Sequence, residues 1–341
     1  MSRTTGGAVY VQTNEGENKV VAFARAGDGR LSPLAVHETG GAGDAEPHLT
    51  SQGSVVVTAA GGHVLVTNSA SDDVSAFAVA ADGTLQLLGR APAGSAPKSV
   101  SESRGLVYVL ATGTPGLAGF RLGENGLEPI AGAEGALVPQ SDPAQVGFTP
   151  DGSMLIVTER GTDSISAFPV QRDGTLGGRR TVMSSGPTPY GFALTSGGTL
   201  VVSEAFGARE GAAAASSYSV RGGEIAPVTK SVGNGRSEIC WVVVTGDGRY
   251  AFTTNFADGA VSRYAIAVDG ALTLDDATAA FTVDGRPGLR DEALTPDSRH
   301  LYAIDTDSGS IFGWAVGDNG VLSPVGSVSG LPRTAAGLAA L

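Results

Sequence analysis

The 341-residue sequence contains a single cysteine, few charged residues and no long apolar run. Because Cys240 stands alone, the chain can form neither an internal disulfide nor a CxxC metal or redox site. This cysteine usage is typical of a reducing compartment, so we expect a cytoplasmic location. No run reaches the roughly 20 apolar residues of a membrane-spanning helix, and the opening MSRTTGGAVY lacks the apolar segment of a secretory signal.

Positive charge is scarce as well. Only 16% of the residues are charged, compared with about 25% in an average soluble domain. Asp and Glu number 34 against 22 Lys and Arg, of which three are lysines, and the net charge is −12. This balance suits neither nucleic acid nor an anionic membrane, so we predict neither as a partner.

Several common catalytic motifs are missing. The sequence has no G-x-S-x-G nucleophile motif, and no lysine follows a glycine, which excludes a P-loop. Its four histidines show neither HxH nor HExxH spacing, so no zinc site is predicted. We therefore predict a function that requires no cofactor.

Glycine, in contrast, is abundant, with 51 residues. A β-rich run that ends in small or polar residues recurs seven times, for example as VYVQTN, LIVTE and AFTTN. The last residues of these runs, at positions 14, 68, 112, 159, 204, 255 and 305, are 44 to 54 residues apart. This interval is typical of the blades of a β-propeller.

Each repeat reads as four antiparallel strands, here named a to d. Asp-Gly or Asn-Gly pairs favour tight hairpins because both residues tolerate positive φ. They follow strand c at 28–29, 82–83, 125–126, 173–174, 269–270 and 319–320. The first repeat lacks its own strand a, and the C-terminal segment 332–341 fits that place. We therefore predict an all-β, seven-bladed β-propeller with four antiparallel strands per blade. It would form a single domain over residues 1–341, closed by the C-terminal segment.

Two sets of residues are predicted to meet at one end of the central channel. The first set ends strand b and comprises Asn14, Asn68, Thr112, Glu159, Glu204, Asn255 and Asp305. Glutamate is unfavourable in tight turns, so Glu159 and Glu204 are candidates for site carboxylates. The second set lies at the entry of strand a and comprises Lys98, Ala144, Tyr190, Cys240, Arg290 and Arg333. Gln145 and Asp291 each follow a member of this second set.

Carboxylates facing cations suit the attack of water on an ester carbonyl. A carboxylate can act as a general base, and Arg or Lys can stabilise the oxyanion or bind a substrate carboxylate. We predict Glu204 and Glu159 as the catalytic carboxylates and Arg290 as the catalytic cation. The predicted substrate contacts, to an anionic small molecule, are Lys98, Arg333, Gln145, Tyr190, Asn255, Asp291 and His48. Alternatively, the cations only pair with Glu159, Glu204, Asp291 or Glu292 and neutralise the channel end.

The stretch 143–168, PAQVGFTPDGSMLIVTERGTDSISAF, resembles a blade of the bacterial lactonase-type seven-bladed propellers. That family includes cycloisomerase-type 6-phosphogluconolactonase and the fungal carboxymuconate-lactonizing enzyme. TPYGFAL with LVVSEAFG, and LTPDSRHLYAID, carry the same pattern, and the resemblance covers essentially the whole chain.

This resemblance implies that a lactone is hydrolysed or formed at one channel face by Arg, His and Glu, without a required metal. Glu204 matches the family's glutamate at the end of strand b, and Arg290 matches its arginine on strand a. Where the family often has histidine and a further arginine, this chain has Ala144, Tyr190 and Gly191. This departure argues against phosphogluconolactone as the substrate.

Two other functions remain open from the sequence. Six-bladed lactonases bind Ca²⁺ with channel oxygen ligands, and four consecutive repeats here offer ligands of that type, namely Glu159, Glu204, Asn255 and Asp305. The third possibility is a propeller without catalytic activity that binds a small molecule or a protein, because the fold alone does not decide function.

Overall fold

The computed structural model of the protein describes residues 5–47, 49, 51–283 and 285–341. Over these residues it contains seven four-stranded antiparallel sheets and two short 3-10 helices, Phe206–Ala208 and Phe256–Asp258. Within the same residues, no helix is long and apolar enough to cross a membrane.

The first three blades occupy the first part of the chain. Blade 1 begins with β1 (Thr5–Gln12), β2 (Lys19–Ala26) and β3 (Leu31–Glu38). Blade 2 consists of β4 (Val55–Val57), β5 (His63–Asn68), β6 (Asp73–Val79) and β7 (Leu85–Pro92). Blade 3 consists of β8 (Pro97–Ser103), β9 (Leu106–Ala111), β10 (Gly116–Gly123) and β11 (Gly126–Ala136).

Four further blades follow in the same pattern. Blade 4 consists of β12 (Pro143–Phe148), β13 (Met154–Glu159), β14 (Ser164–Pro169) and β15 (Arg180–Met183). Blade 5 consists of β16 (Pro189–Leu194), β17 (Thr199–Glu204), β18 (Ala214–Arg221) and β19 (Glu224–Gly233). Blade 6 consists of β20 (Ile239–Val244), β21 (Tyr250–Asn255), β22 (Ala260–Ile266) and β23 (Leu272–Phe281). Blade 7 consists of β24 (Leu289–Leu294), β25 (His300–Asp305), β26 (Ser310–Val316) and β27 (Leu322–Ser329).

The last strand, β28 (Ala336–Ala340), completes blade 1 as its strand a. It pairs antiparallel with β1 and places Tyr10 opposite Ala339 and Val11 opposite Leu338. The innermost strands contact one another in the ring order β28, β4, β8, β12, β16, β20, β24 and back to β28. The predicted seven-bladed fold, closed by the C-terminal segment, is therefore confirmed.

The predicted hairpins join strands c and d. At Asp28–Gly29 the glycine has φ 85°, a conformation that side chains disfavour. The Asp28 carboxylate accepts a 3.2 Å hydrogen bond from the N–H of Arg30. Asp82, Asp173 and Asp269 accept the same bond in their own hairpins. A side-chain acceptor followed by a left-handed glycine thus fixes each turn locally.

The core lies between neighbouring blades. At the junction of blades 3 and 4, Tyr108 and Leu110 pack with Leu155 and Phe168, and all four are nearly fully buried. Strand alternation sends successive side chains to opposite faces of each sheet, so every blade buries both faces against its neighbours. The strand ends at the channel are thereby held in register, which positions the residues described next.

Candidate functional site

The channel end at which strand a begins, which we call the mouth, is shaped by a repeated backbone contact. In five blades the residue before strand a has positive φ, as in Ala96, Asp142, Thr188, Glu238 and Gly288. Its carbonyl accepts a hydrogen bond of 2.9–3.2 Å from the residue after strand b, respectively Thr112, Arg160, Ala205, Phe256 and Thr306. The mouth is therefore lined by the second residue of strand a and the residue after strand b. Left-handed backbone outside glycine is strained and concentrates at functional sites.

Arg290 is a cation of the mouth whose side chain is held in place by contacts and is only 8% exposed. Its Nε donates to Thr306 Oγ1 at 3.1 Å, and its Cζ lies 4.2 Å from the centroid of the Phe256 ring. Burial lowers the pKa of Arg290 from its ordinary value, but a guanidinium remains charged at neutral pH. Among the residues that the structure describes, its Nη1 and Nη2 have no acceptor. Two oriented donor groups are thus available to a ligand.

A second cation lies on the opposite side of the mouth. Arg160 Nη1 donates to Tyr190 Oη at 3.0 Å, and Arg160 Nη2 lies 2.6 Å from Asp142 Oδ1. The Tyr190 ring lies 4.8 Å from the Arg160 Cζ and 4.8 Å from the Trp241 ring. Burial raises the pKa of Tyr190 well above its ordinary value, so its hydroxyl remains protonated.

Cys240 lies between these two cations and is 6% exposed. Burial raises the pKa of its thiol to about 12; the nearby charge of Arg290 opposes this shift and that of Glu238 adds to it. The thiol donates to the Glu238 carbonyl oxygen at 3.4 Å. It is therefore protonated at neutral pH and is no thiolate nucleophile. The Glu238 carboxylate is partly exposed and has no hydrogen-bond partner among the described residues.

Lys98 lies on the blade 3 side of the mouth. Its Nζ lies 3.6 Å from Asp44 Oδ2, and Asp44 Oδ1 accepts a 2.7 Å hydrogen bond from Asn14 Nδ2. Lys98 is therefore tethered to the connection between blades 1 and 2. His48, predicted on the same connection, lies outside the described residues.

Arg333 does not occupy the position of Arg290 in its own blade. β28 begins at Ala336, so Arg333 lies three residues before the strand, whereas Arg290 is the second residue of β24. The Arg333 side chain is 73% exposed and forms a 2.9 Å ion pair with Asp307. It lies at the outer rim of the mouth rather than in its lining.

Glu204 lies inside blade 5 and is fully buried. Its Oε1 accepts hydrogen bonds from Ser216 Oγ at 2.6 Å, from the Gly186 N–H at 2.8 Å and from Ser184 Oγ at 3.3 Å. Its Oε2 accepts one from Ser231 Oγ at 2.7 Å. These four donors link Glu204 on strand b to strands c and d of blade 5 and to the connection that enters the blade from blade 4. The catalytic role predicted for Glu204 stays a prediction, and the structure does not bring this carboxylate to the mouth lining.

Glu159 has the same kind of environment in blade 4. It is 1% exposed and accepts hydrogen bonds from Ser166 Oγ and Thr162 Oγ1. Asn255 likewise donates to Ser262 Oγ at 2.9 Å, and Asp305 accepts from Thr282 Oγ1 at 2.7 Å. The side chains that end strand b thus bond to neighbouring strands of their own blade or, at Asp305, to the connection that follows β23 of blade 6.

The four predicted calcium ligands are therefore separated by blade. Within the ranges that the structure describes, no group of three or more His, Cys, Asp or Glu side chains is arranged to hold a metal ion. Glu159, Glu204 and Asp305 are not brought together.

Below the mouth, the channel is crossed by the chain. The Gln52 amide donates to the Val242 carbonyl at 3.0 Å and accepts from its N–H at 3.2 Å, which ties the segment to blade 6. The Gly53 carbonyl accepts from the Val100 N–H at 2.8 Å in blade 3. Gln145 joins blade 4 to blade 5 in the same way, since its amide bonds both backbone groups of Phe192. Both polar groups of the Gln145 side chain are thus already hydrogen-bonded to blade 5, below the mouth.

Asp291 follows Arg290 and, like Gln145 and Gln52, borders the channel below the mouth. It is 2% exposed, and burial raises the pKa of its carboxyl to about 7, against the opposing effects of the Gly337 N–H and Arg290. Its neighbour Glu292 is 3% exposed. The pKa of Glu292 is raised well above its ordinary value by burial and by the charge of Asp291. Two adjacent carboxyl groups therefore resist ionisation inside the channel.

The comparisons with known proteins fit this architecture. The family described as "Lactonase, 7-bladed beta-propeller" matches residues 3–114, 127–205 and 201–329. The chain belongs to this lactonase family. No curated protein matches it.

Solved structures share the fold of this lactonase-family chain at low identity. A Bacteroides fragilis protein provisionally assigned as a 6-phosphogluconolactonase is 19% identical, with a TM-score of 0.76 over 100% of both chains. A Bacteroides uniformis protein with the same provisional assignment is 17% identical, with a TM-score of 0.76 over 97% of this chain and 98% of that one. The periplasmic gluconolactonase of Pseudomonas aeruginosa is 16% identical, with a TM-score of 0.74 over 97% and 98%.

The sequence reasoning did not single out three residues of this lactonase-family chain that shape its channel end. Arg160 is the residue after strand b of blade 4, and Glu238 is the residue before strand a of blade 6, so neither belongs to the two aligned sets. A glutamate in a left-handed conformation just before a strand leaves no sequence signal. Gln52 lies in the long connection between blades 1 and 2, and only its contact with blade 6 shows what it does.

The channel carboxyls make a pH-dependent contribution to stability. Because the pKa of Asp291 is raised in the folded state, that state holds a proton which the unfolded chain has lost between about pH 4 and pH 7. Stability should fall through this window by about 1.4 kcal/mol per pH unit for each such group. We expect urea unfolding of Asp291→Asn to show a flatter profile than the parent from pH 4.5 to 8.

The comparison needs a matched control. His37 and His300, whose pKa values are lowered, titrate near the same window with the opposite sign, but they are common to parent and variant. Glu224→Gln, at the exposed first residue of β19, should leave the profile unchanged. Parallel profiles for Asp291→Asn and the parent would contradict the assignment.

Proposed function

We propose that this lactonase-family protein hydrolyses, or in reverse forms, a lactone of a small carboxylate-bearing metabolite at the mouth. The observation that carries the proposal is Arg290, a nearly buried guanidinium with two unoccupied donor groups. Such a fork matches a carboxylate or the oxyanion of a tetrahedral intermediate. Arg160 and Lys98 add further donors around the mouth, although each is paired with a carboxylate, Asp142 and Asp44 respectively, so Arg290 is the cation on which the proposal rests.

Glu238 is the carboxylate that the geometry favours as the general base. It is partly exposed, has no partner among the described residues, and lies with Arg290 close to Cys240. A base needs access to water and a lone pair to accept its proton. Glu204, which the resemblance suggests for this role, is fully buried with four donors on its oxygens. The two assignments of the base therefore lead to opposite expected values of kcat when Glu238 or Glu204 is replaced by glutamine.

The reaction would run as follows in the hydrolytic direction. Glu238 takes a proton from water while the water oxygen bonds to the lactone carbonyl carbon, and the resulting oxyanion is stabilised by Arg290. The ring C–O bond then breaks, and the leaving alkoxide takes the proton from Glu238. The product is an open-chain hydroxy acid, and the enzyme returns to its starting state.

A lactone panel tests the activity directly. It should contain lactones with and without a free carboxylate, together with glucono-δ-lactone and 6-phosphogluconolactone, since relatives bear those activities in their names. We expect turnover above the buffer rate for a carboxylate-bearing lactone, measured by pH-stat. Arg290→Ala should lower kcat/KM by about 100-fold or more. Arg290→Lys should recover part of it, because lysine keeps the charge but not the fork.

Two glutamine variants then separate the candidate bases. Glu238→Gln should lower kcat by about 100-fold or more, whereas Glu204→Gln should leave kcat of the folded enzyme within a few-fold. The reverse result would identify Glu204 as the general base. A panel in which every lactone hydrolyses at the buffer rate would refute the enzymatic proposal and favour a binding function.

A further inference from the structure

Arg290 is held from two sides by residues of different blades. The ring of Phe256, which follows strand b of blade 6, lies 4.2 Å from its Cζ. The hydroxyl of Thr306, which follows strand b of blade 7, accepts a hydrogen bond from its Nε at 3.1 Å. The stacked ring fixes the plane of the guanidinium, and the hydroxyl fixes its rotation within that plane. A long side chain that is otherwise free to change rotamer is thus held in one orientation.

The two residues that hold Arg290 are joined through the backbone of Gly288. The Gly288 N–H donates to the Phe256 carbonyl at 3.1 Å. The Gly288 carbonyl accepts from the Thr306 N–H at 2.9 Å and from the Thr306 hydroxyl at 3.3 Å. A Cβ at this position, where φ is 141°, would lie 2.6 Å from Asp305 Oδ1, so glycine is required. The ring, the hydroxyl and the entry of strand a therefore form one connected support.

The Thr306 hydroxyl acts as donor and acceptor at the same time. It donates to the Gly288 carbonyl and accepts from Arg290, and Thr306 is only 1% exposed, so water cannot replace either bond. In blade 3 the equivalent residue is Thr112, whose hydroxyl donates to the Ala96 carbonyl at 3.0 Å. Blade 3 thus has the bond from hydroxyl to carbonyl alone, and blade 7 adds the arginine.

The hydroxyl also decides which edge of the guanidinium is left for a ligand. A guanidinium binds a carboxylate either through its two Nη groups or through Nε and one Nη. The bond from Arg290 Nε to Thr306 occupies the second of these edges. Nη1 and Nη2 have no partner among the described residues and are not fully buried, so the first edge is accessible to a ligand.

We propose that Thr306 is a positioning residue, which turns the Nη1–Nη2 edge of Arg290 toward the carboxylate or oxyanion of a ligand at the mouth. This inference rests on the proposed function, because Arg290 is the cation that carries it. Without the hydroxyl, Nε would be an unpaired donor in a nearly buried place, and the guanidinium would turn toward another acceptor. A displacement of about 1 Å at a binding group can cost about 100-fold in rate.

The Nε–H signal of Arg290 in proton–nitrogen NMR spectra reports this contact without any ligand. The signal, assigned by its absence from Arg290→Lys, should be sharp and slow to exchange in the parent and broadened or lost in Thr306→Val. Thr306→Ser, which keeps the hydroxyl, should restore it. Thr112→Val, which removes the equivalent hydroxyl of blade 3, should leave it unchanged. If Thr306→Val does not fold, Thr306→Ala removes the same acceptor with a smaller side chain.

Sodium propionate then tests the consequence for binding. A titration followed on the backbone N–H signals of residues 288–290 should show saturable binding to the parent. Binding should be about ten-fold weaker in Thr306→Val and within about three-fold of the parent in Thr306→Ser. On a lactone that the parent hydrolyses, Thr306→Val should lower kcat/KM by about ten-fold or more.

The two measurements separate failure of this inference from failure of the proposed function. A parent that does not bind propionate would count against Arg290 as the anion site, and the Nε–H signal would still decide the role of Thr306. An Arg290 signal as sharp and as slow to exchange in Thr306→Val as in the parent would overturn the proposal. So would a Thr306→Ser variant that behaves like Thr306→Val, because the effect would then come from the methyl group and not from the hydroxyl.

Discussion

Deletion of residues 332–341 should abolish the cooperative unfolding transition, the largest effect expected of any change considered. Leu338 packs with Ile304 and Val11, and Ala339 packs with Val55 and Val64, so β28 closes the interfaces of blade 1 with blades 7 and 2. Its loss would also leave β1 as an unpaired edge beside an open ring. Removing a core strand costs as much as the roughly 5–15 kcal/mol that stabilises a typical domain. Thermal and urea unfolding, followed by circular dichroism, would show it.

Two controls separate ring closure from a general effect of shortening the chain. Leu338→Ala in the full-length protein should cost about 2–5 kcal/mol and retain a cooperative transition. A synthetic peptide of residues 332–341, added in excess to the shortened chain, should restore part of the transition by adding the missing strand. A shortened chain that melts like the parent would refute closure by β28.

The fold could be predicted because its signals are local and repeated. An Asp-Gly pair fixes its own hairpin through a side-chain acceptor and a left-handed glycine, as at Asp28–Gly29, and needs no distant contact. The spacing of such turns then implies the blade count. The strand that completes blade 1 was predictable by elimination, since one repeat lacked its first strand.

The site was harder to predict because a shift of one residue reverses the face of a strand. Glu159 ends β13 and turns into its blade, whereas Arg160, one residue later, reaches Tyr190 at the mouth. Periodicity located the end of strand b but could not decide which of the two neighbours lines the channel. In blade 1 the alignment is offset, since Arg333 lies before β28 whereas Arg290 is the second residue of β24.

Contacts between distant blades left no signal in the sequence at all. Gln52 meets Val242 across the channel, and Gly191 is needed close by, because a Cβ there would lie 2.9 Å from both the Cys240 carbonyl oxygen and the Trp241 Cα. The lack of hydrogen-bond partners for the Glu292 carboxyl group among the described residues is equally absent from the sequence. In the sequence, an acid that follows Arg290 and Asp291 would be taken for an ion-pair partner. Only the register of β24 shows it in the position of a core valine.

Glu204→Ala should be strongly destabilising, by about 3–5 kcal/mol, because it removes the acceptor of four donors from blade 5 and the connection that enters it. The buried Gly186 N–H is the most constrained of them, since a backbone donor cannot rotate toward another acceptor as the Ser184, Ser216 and Ser231 hydroxyls can. Urea unfolding at neutral pH measures the loss, and the exposed Glu224→Ala should change stability by less than about 0.5 kcal/mol.

Glu204→Gln distinguishes a structural carboxylate from a catalytic one. The glutamine oxygen can keep the place of Oε1 with its donors from Gly186 and Ser216, while its amide donates to the Ser231 hydroxyl, which can reverse its role. The loss should then be only about 1–2 kcal/mol, because the hydrogen bonds are kept without their charge. A carboxylate that holds strands together gives this graded series in stability with an unchanged kcat. A catalytic base would instead give full stability and a collapsed kcat in the glutamine variant, and that outcome would return Glu204 to the reaction.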